Sequence, residues 1–185
     1  MIRTVNGIKY ELTRKNVRNI NLRISGGIVK VSARRGIPAE YIDSFVASKR
    51  AFIERALTRE SNRIPLSPPN VSTAEAVRYF TAITERIYPL FARFSFPFPV
   101  IKARLMKSQW GNCRRAQNTV TFNTYLCSLP ERCAEFVAAH ELAHMVVNDH
   151  SPAFYAVLRE VMPDCDLRKK ELSKFSLRSA PPADR

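Results

Sequence analysis

The chemistry this sequence offers sits in three histidines and one glutamate: His140-Glu141-Leu142-Ala143-His144, followed by His150. They are the only three histidines in the chain, and all fall between positions 140 and 150. On a helix, four residues advance about 6 Å and turn about 400°. His140 and His144 therefore project from nearly the same face, one turn apart. Two imidazoles so placed can hold one zinc ion, at about 2.0–2.1 Å each. Glu141 lies about 100° around from His140. There its carboxylate reaches a metal-bound water without ligating the metal, and can act as general base and then general acid.

A catalytic zinc needs a third protein ligand and one open position. His150 is the natural third ligand, with Glu160 the alternative. His150 lies too far along to share the helix and still face the metal, so the chain must turn back. Asn148-Asp149 marks that turn, because asparagine tolerates the left-handed conformation that ends helices. Val147 stands where the metzincin motif has its turn glycine, so the turn must differ from theirs. Asp149 and Asp164 are candidates to orient a ligand histidine from behind. Trp110 is a candidate to line the cleft or to serve as a packing anchor. Tyr155 is a candidate oxyanion donor, or a packing partner of Phe154.

The elements that must position these residues can be read from periodicity. The active helix is expected from about 130 to 147, opened by Ser128 and Pro130. Its flanks, Phe136, Val137, Ala138, Ala139, Leu142 and Ala143, are apolar or small, as a buried helix requires. Ser151-Pro152 opens another helix and Asp164 a last one. Upstream, Val100 to Leu105 and Thr119 to Asn123 read as strands, with a loop around Trp110-Gly111 between them. Ser72 with Glu75 forms a capping-box pattern that starts a helix running to Ile87, and Pro89 is expected to kink or end it.

The first part of the chain reads differently. Ile8, Tyr10 and Leu12 alternate with polar residues, as do Ile20, Leu22 and Ile24, then Ile28, Val29 and Val31. Gly26-Gly27 is a hairpin signal. Pro38 opens one helix that carries Ile42, Phe45, Val46, Ile53, Ala56 and Leu57 on its apolar face. Residues 61–71 hold three prolines and read as a linker. The expected organisation is a β-rich subdomain with a capping helix over 1–60, a linker over 61–72, a catalytic domain over 73–175 and a flexible basic tail over 176–185. The fold class is α+β.

The chain has 185 residues, 45% of them apolar, which suits a globular protein. No run approaches the roughly 18 apolar residues of a membrane span, and Met1–Gly7 lacks a signal-like apolar stretch. The expectation is a cytoplasmic protein with no membrane contact. Cys113, Cys127, Cys133 and Cys165 form no Cys-x-x-Cys pair and read as free thiols. The net charge is +14, from 30 Lys and Arg against 16 Asp and Glu. That excess favours polyanionic partners, nucleic acid or nucleotide among them. Arg104, Lys107, Arg114 and Arg115 flank the site in sequence and are candidates for such contact.

The motifs together resemble the YgjP-like metallopeptidase family, related in fold to SprT-like and other zincin proteases. The resemblance covers about residues 8–175. It rests on Gln109-Trp110-Gly111-Asn112-Cys113, Val120-Thr121-Phe122-Asn123, the His140–His144 motif, Asn148-Asp149-His150-Ser151 with Phe154, and Met162-Pro163-Asp164. Gln109 and Asn112 replace the arginine and serine typical of relatives. The resemblance implies a zincin-like core, one Zn²⁺ per chain held by His140, His144 and His150, and Glu141 as catalytic acid/base. It also implies an edge strand above the metal that pairs with an extended peptide. Thr119–Asn123 is expected in that role, which makes Thr121 and Asn123 candidate substrate-binding residues. The expected activity is peptide hydrolysis. Two alternatives stand beside it: a metal-dependent nucleoside triphosphate pyrophosphohydrolase, and a DNA-associated protease or nucleic-acid-binding module.

Overall fold

The computed structural model describes residues 1–177 and divides the chain into two compact units, Met1–Arg63 and Ile64–Arg185. Most of the expected basic tail, from residue 178 on, lies outside the described residues.

The first unit is a four-stranded sheet with two helices on one face. The strands are β1 (Ile2–Val5), β2 (Ile8–Arg14), β3 (Asn21–Ser25) and β4 (Ile28–Ala33). Their order is β1-β2-β4-β3, with β2 and β4 parallel and the other neighbours antiparallel. Alternation works as period two requires: Ile8, Tyr10 and Leu12 are buried, and so are Val29, Val31 and Ala33. Gly26 and Gly27 both take positive φ, 63° and 71°, which closes the β3–β4 hairpin with the twist its strands need. β1 was not legible, since Ile2-Arg3-Thr4-Val5 is short and mostly exposed.

The single helix expected after Pro38 is two: α1 (Ala39–Ser48) and α2 (Arg50–Ser61). The break is at Lys49, whose N–H turns to the Val46 carbonyl. A straight helix of that combined length would run about 33 Å, well beyond strands of roughly 17–24 Å. The bend keeps Ile42, Val46 and Ile53 all in the core of this unit. One polar tie crosses that face. Arg3 donates to the Asp43 carboxylate at 2.5 and 3.2 Å, and Tyr10 donates to it at 2.7 Å.

The second unit carries the histidines. Ile64–Pro65, inside the expected linker, forms β5, paired in parallel with β9 (Phe175–Ser176). Helix α3 (Thr73–Ile87) starts at the expected capping box: Ser72 Oγ accepts from the Glu75 N–H, and the Glu75 carboxylate accepts from the Ser72 N–H. The helix ends at Ile87, and Pro89 sits in the first turn of the 3₁₀ segment that follows, Tyr88–Phe94. Three strands follow: β6 (Val100–Arg104), β7 (Gly111–Arg114) and β8 (Thr119–Asn123). Their order is β6-β8-β7, with β6 parallel and β7 antiparallel to β8. Phe80 of α3 stacks on Phe122 of β8 at 4.7 Å. Helices α4 (Glu131–Val146), α5 (Pro152–Val161) and α6 (Cys165–Leu172) complete the α+β fold. α4 packs against α3, α5, α6 and β7. Its apolar flanks are buried all round, as the sequence required.

Two expectations for this sheet are corrected. The stretch read as a loop at Trp110-Gly111 continues into strand β7; Gly-Asn-Cys-Arg carries no apolar alternation to announce it. And Thr119–Asn123 is the central strand, not an edge, with all five residues buried. No described helix is long and apolar enough to cross a membrane.

Arg3 and Tyr10 hold the Asp43 carboxyl below its ordinary pKa by hydrogen bonding to its charged form. Asp43 therefore stabilises the fold above the unfolded carboxyl value of about 3.9, and that contribution is lost as pH falls through the depressed native value. Asp43→Asn is expected to cost about 1–2 kcal/mol at pH 7. Urea unfolding of both proteins at pH 7 and at pH 2.5 checks this, with the difference shrinking at the lower pH.

Candidate metal centre

α4 brings His140 and His144 to one face, a turn apart, with ring centroids 4.9 Å from each other. The helix ends because Val147 is extended, at φ −125° and ψ 119°, while its N–H still bonds Ala143 O. Asn148 is not left-handed, contrary to the sequence reading; the described non-glycine residues with positive φ are Asn6, Ser95 and Asn118. The return is made instead by an Asx turn, in which the Asp149 carboxylate accepts from the Ser151 N–H at 3.2 Å. This places His150 just before α5 and back over the helix. Its ring centroid is 5.0 Å from that of His140 and 4.7 Å from that of His144.

Three imidazole nitrogens, one from each ring, lie within 4.8 Å of one another. The Nε2 atoms of His140 and His150 are 3.1 Å apart. Tetrahedral ligands at 2.0–2.1 Å from one ion are separated by about 3.3–3.4 Å, so this spacing fits a single small cation. His144 Nδ1 donates to the Val147 carbonyl at 3.2 Å, which turns the lone pair of Nε2 towards the other rings. Phe154 lies under all three, at centroid distances of 4.9, 4.5 and 4.9 Å, and holds them from the apolar side. Burial, with His144, His150 and Lys169 nearby, depresses the His140 pKa to about 3. Burial also lowers that of His144. Neutral imidazoles with free lone pairs are what a metal requires.

Glu141 is almost fully buried beside this cluster, at 5% exposure. Burial raises its pKa to about 8, against the opposing pull of a hydrogen bond from the Cys113 backbone N–H. Cys113 belongs to β7, so the carboxylate is anchored on that strand. Gly111 explains how the strand comes so close. A Cβ there would lie 2.5 Å from Glu141 Oε1 and 2.8 Å from Val137 Cγ1. From the sequence, Trp110-Gly111 was a candidate to line the cleft, but neither the contact of Gly111 with Glu141 nor the Cys113 N–H was singled out. A glycine inside a strand signals close approach of another group, but the strand itself was not legible.

The other candidates separate. Asn123 is wholly buried and saturated: its amide donates to the carbonyls of Met106 and Gln109 at 2.8 Å each, and its oxygen accepts from the N–H of Met106 and of Tyr125. It ties the segment between β6 and β7 and faces no substrate. Thr121 is buried on the central strand. Trp110 packs against the core of this unit, and its carbonyl accepts from the Asn123 N–H. Tyr155 is beside the cluster, 6.3 Å from His150 between ring centroids and 5.3 Å from Phe154. Glu160 is not a ligand; it pairs with Arg93. Asp164 pairs with Arg168 and Asp149 caps the turn, so neither orients a histidine. The four cysteines are free. Among the described residues, the three histidines are the cluster that can hold a metal.

Residues 70–175 match the model of the YgjP-like metallopeptidase domain. The chain belongs to the YgjP-like family. As a member, it carries a metallopeptidase domain over more than half its length. No curated protein matches the chain. Among solved structures, it is similar to the metallopeptidase zymogen abylysin of Pyrococcus abyssi, at 18% identity and a TM-score of 0.48, over 55% of this chain and 99% of that one. It is also similar to the metallopeptidase zymogen jannalysin of Methanocaldococcus jannaschii, at 21% identity and a TM-score of 0.42, over 50% of this chain and 92% of that one.

Gly111→Ala is expected to displace the Glu141 carboxylate. Peptide cleavage should fall on the order of a hundredfold, while metal content, read by elemental analysis, stays unchanged.

In the metal-free protein Glu141 binds a proton more tightly when folded than when unfolded. Its contribution to stability is therefore present at low pH and lost as pH rises from about 4.5 to about 8. Glu141→Gln removes that loss. Thermal unfolding of the metal-free proteins should show the variant gaining on the wild type as pH rises from 5 to 8.

Proposed function

We propose that this chain is a zinc peptidase in which His140, His144 and His150 hold the ion and Glu141 moves the proton. The reading rests on one observation: three converging imidazoles beside a buried carboxylate that is itself held against a strand edge. A zinc ion in that cradle supplies Lewis acidity for hydrolysis of an unactivated carbonyl. Phe154 and the Val147 carbonyl keep the three rings in register with no ion needed to gather them. Glu141 accepts a proton from the attacking water and returns it to the leaving amine. Its burial gives it the basicity for both halves of that task, near the working pH. The Cys113 N–H and the absence of a side chain at Gly111 hold the carboxylate where it must act.

Strand β7 takes over the substrate role first expected of Thr119–Asn123. One side of β7 pairs with β8, and the other has no strand partner among the described residues. An extended peptide laid along that side gains main-chain hydrogen bonds and passes Glu141. This edge beside the carboxylate is what favours a peptide over a nucleoside triphosphate. We assign the developing oxyanion to Tyr155 on the support of its ring, which lies 6.3 Å from that of His150.

The decisive comparison is wild type against Glu141→Gln on an unfolded protein substrate. Release of new amino termini should fall by about 10²–10⁴ in the variant, with its metal content retained. A chelator should abolish wild-type activity and added Zn²⁺ restore it. Equal activity of the two proteins overturns the reading.

A further inference from the structure

The strongest unexplained feature lies in the first unit, away from the histidines in sequence. Residues 1–63 hold 14 Lys and Arg against 5 Asp and Glu, a net +9 of the chain's +14. Between Glu11 and Glu40 there are seven cations and no acid. Topology gathers several of them. Because β2 and β4 are parallel neighbours, their C-terminal ends leave the sheet at the same pole. The segment after β2 carries Lys15 and Arg18, and the segment after β4 carries Arg34 and Arg35. The two turns that close the opposite pole, Asn6-Gly7 and Gly26-Gly27, hold no charge.

The cationic pole is built rigidly. Lys15 N–H donates to Ala33 O at 3.0 Å. The Arg14 guanidinium donates to the carbonyls of Arg34 and Ile37, at 2.9 and 2.7 Å. Arg14 thus spends its donors stitching the two segments together, while Lys15, Arg18, Arg34 and Arg35 stay exposed. Among the described residues none of those four has an ion-pair partner, whereas Arg3, Arg50 and Arg63 elsewhere in this unit do. Unpaired like charges held together on short tied segments repel one another, and a polyanion relieves that repulsion.

We propose that this pole is a binding surface for the phosphate backbone of double-stranded nucleic acid. Residues 14–38 contain no aromatic side chain, so no stacking platform for single-stranded bases exists there. Within the two charged segments no large apolar residue is exposed: Val17, Ile20 and Ile37 are half-buried. Met1, paired with Leu12 at the adjoining end of β1, is exposed, but one side chain supplies little of the apolar area that anchoring on a membrane surface requires. Four point charges without base-reading partners give contact that is independent of sequence and strongly dependent on salt. The inference does not rest on the peptidase reading, and each can fail alone.

The test uses the full chain with a labelled 20-base-pair duplex, DNA and RNA side by side, in a salt series. Four phosphate contacts give a slope of about −3.6 in log K against log salt, or about a hundredfold loss of affinity between 50 and 200 mM. Changing Lys15→Gln, Arg18→Gln, Arg34→Gln and Arg35→Gln together should weaken binding at least about tenfold and flatten the slope by about 3.6. Far-UV circular dichroism and thermal unfolding establish that this variant is folded. The matching change at Arg104, Lys107, Arg114 and Arg115 in the other unit should leave binding within about twofold. An equal loss in both variants means diffuse net charge and overturns the proposal. So does a wild-type slope shallower than about −1, or binding to phosphatidylserine vesicles with none to duplex.

Discussion

The constraint on which the second unit depends is the close contact between the Glu141 carboxylate and strand β7. A charged group buried to this degree costs free energy unless it is hydrogen-bonded or kept neutral. Here one backbone N–H, that of Cys113, meets it, and burial raises its pKa to about 8. For the strand to come so near, the residue above the carboxylate has to lack a side chain, and Gly111 does. For the helix to present the carboxylate there, its other faces have to be buried against α3, α5 and α6. The apolar and small residues that fill α4 follow from this placement as much as from any need for a core.

The histidines obey the same logic on the adjacent face. Burial first, and then the neighbouring rings, lower the pKa values of His140 and His144 and keep these two imidazoles neutral. Neutrality leaves a lone pair on each ring, and the Val147 carbonyl and the Phe154 ring decide where those lone pairs point. The cradle is assembled by packing and one backbone carbonyl, so the metal does not have to pay for gathering its ligands.

The first unit runs on different physics. Its core is an ordinary alternating sheet under two helices, held by one buried-side polar tie among Arg3, Asp43 and Tyr10. What distinguishes it is charge, and the parallel pairing of β2 and β4 turns a diffuse sequence excess into a pole.

Sequence alone determined whatever depends on residues near one another along the chain. The spacing of His140, Glu141 and His144 dictates one helical face because the helix repeat is local. The Ser72–Glu75 box, the Gly26-Gly27 hairpin and the alternation in β2 and β4 are equally local, and each appears as expected. The starts of α5 and α6 were legible from Ser151-Pro152 and Asp164 for the same reason. Tertiary structure decided what depends on partners far away in the chain. It placed β8 between β6 and β7, which buried Asn123 and Thr121 and left at one edge of the sheet a strand that has no apolar pattern. It closed the turn before His150 through the Asp149 side chain and an extended Val147, where a left-handed asparagine had been the local expectation. It also set Gly111 against Glu141, thirty positions apart. Strand order and close approach are settled by which surfaces pack together, and no window of neighbouring residues carries that information.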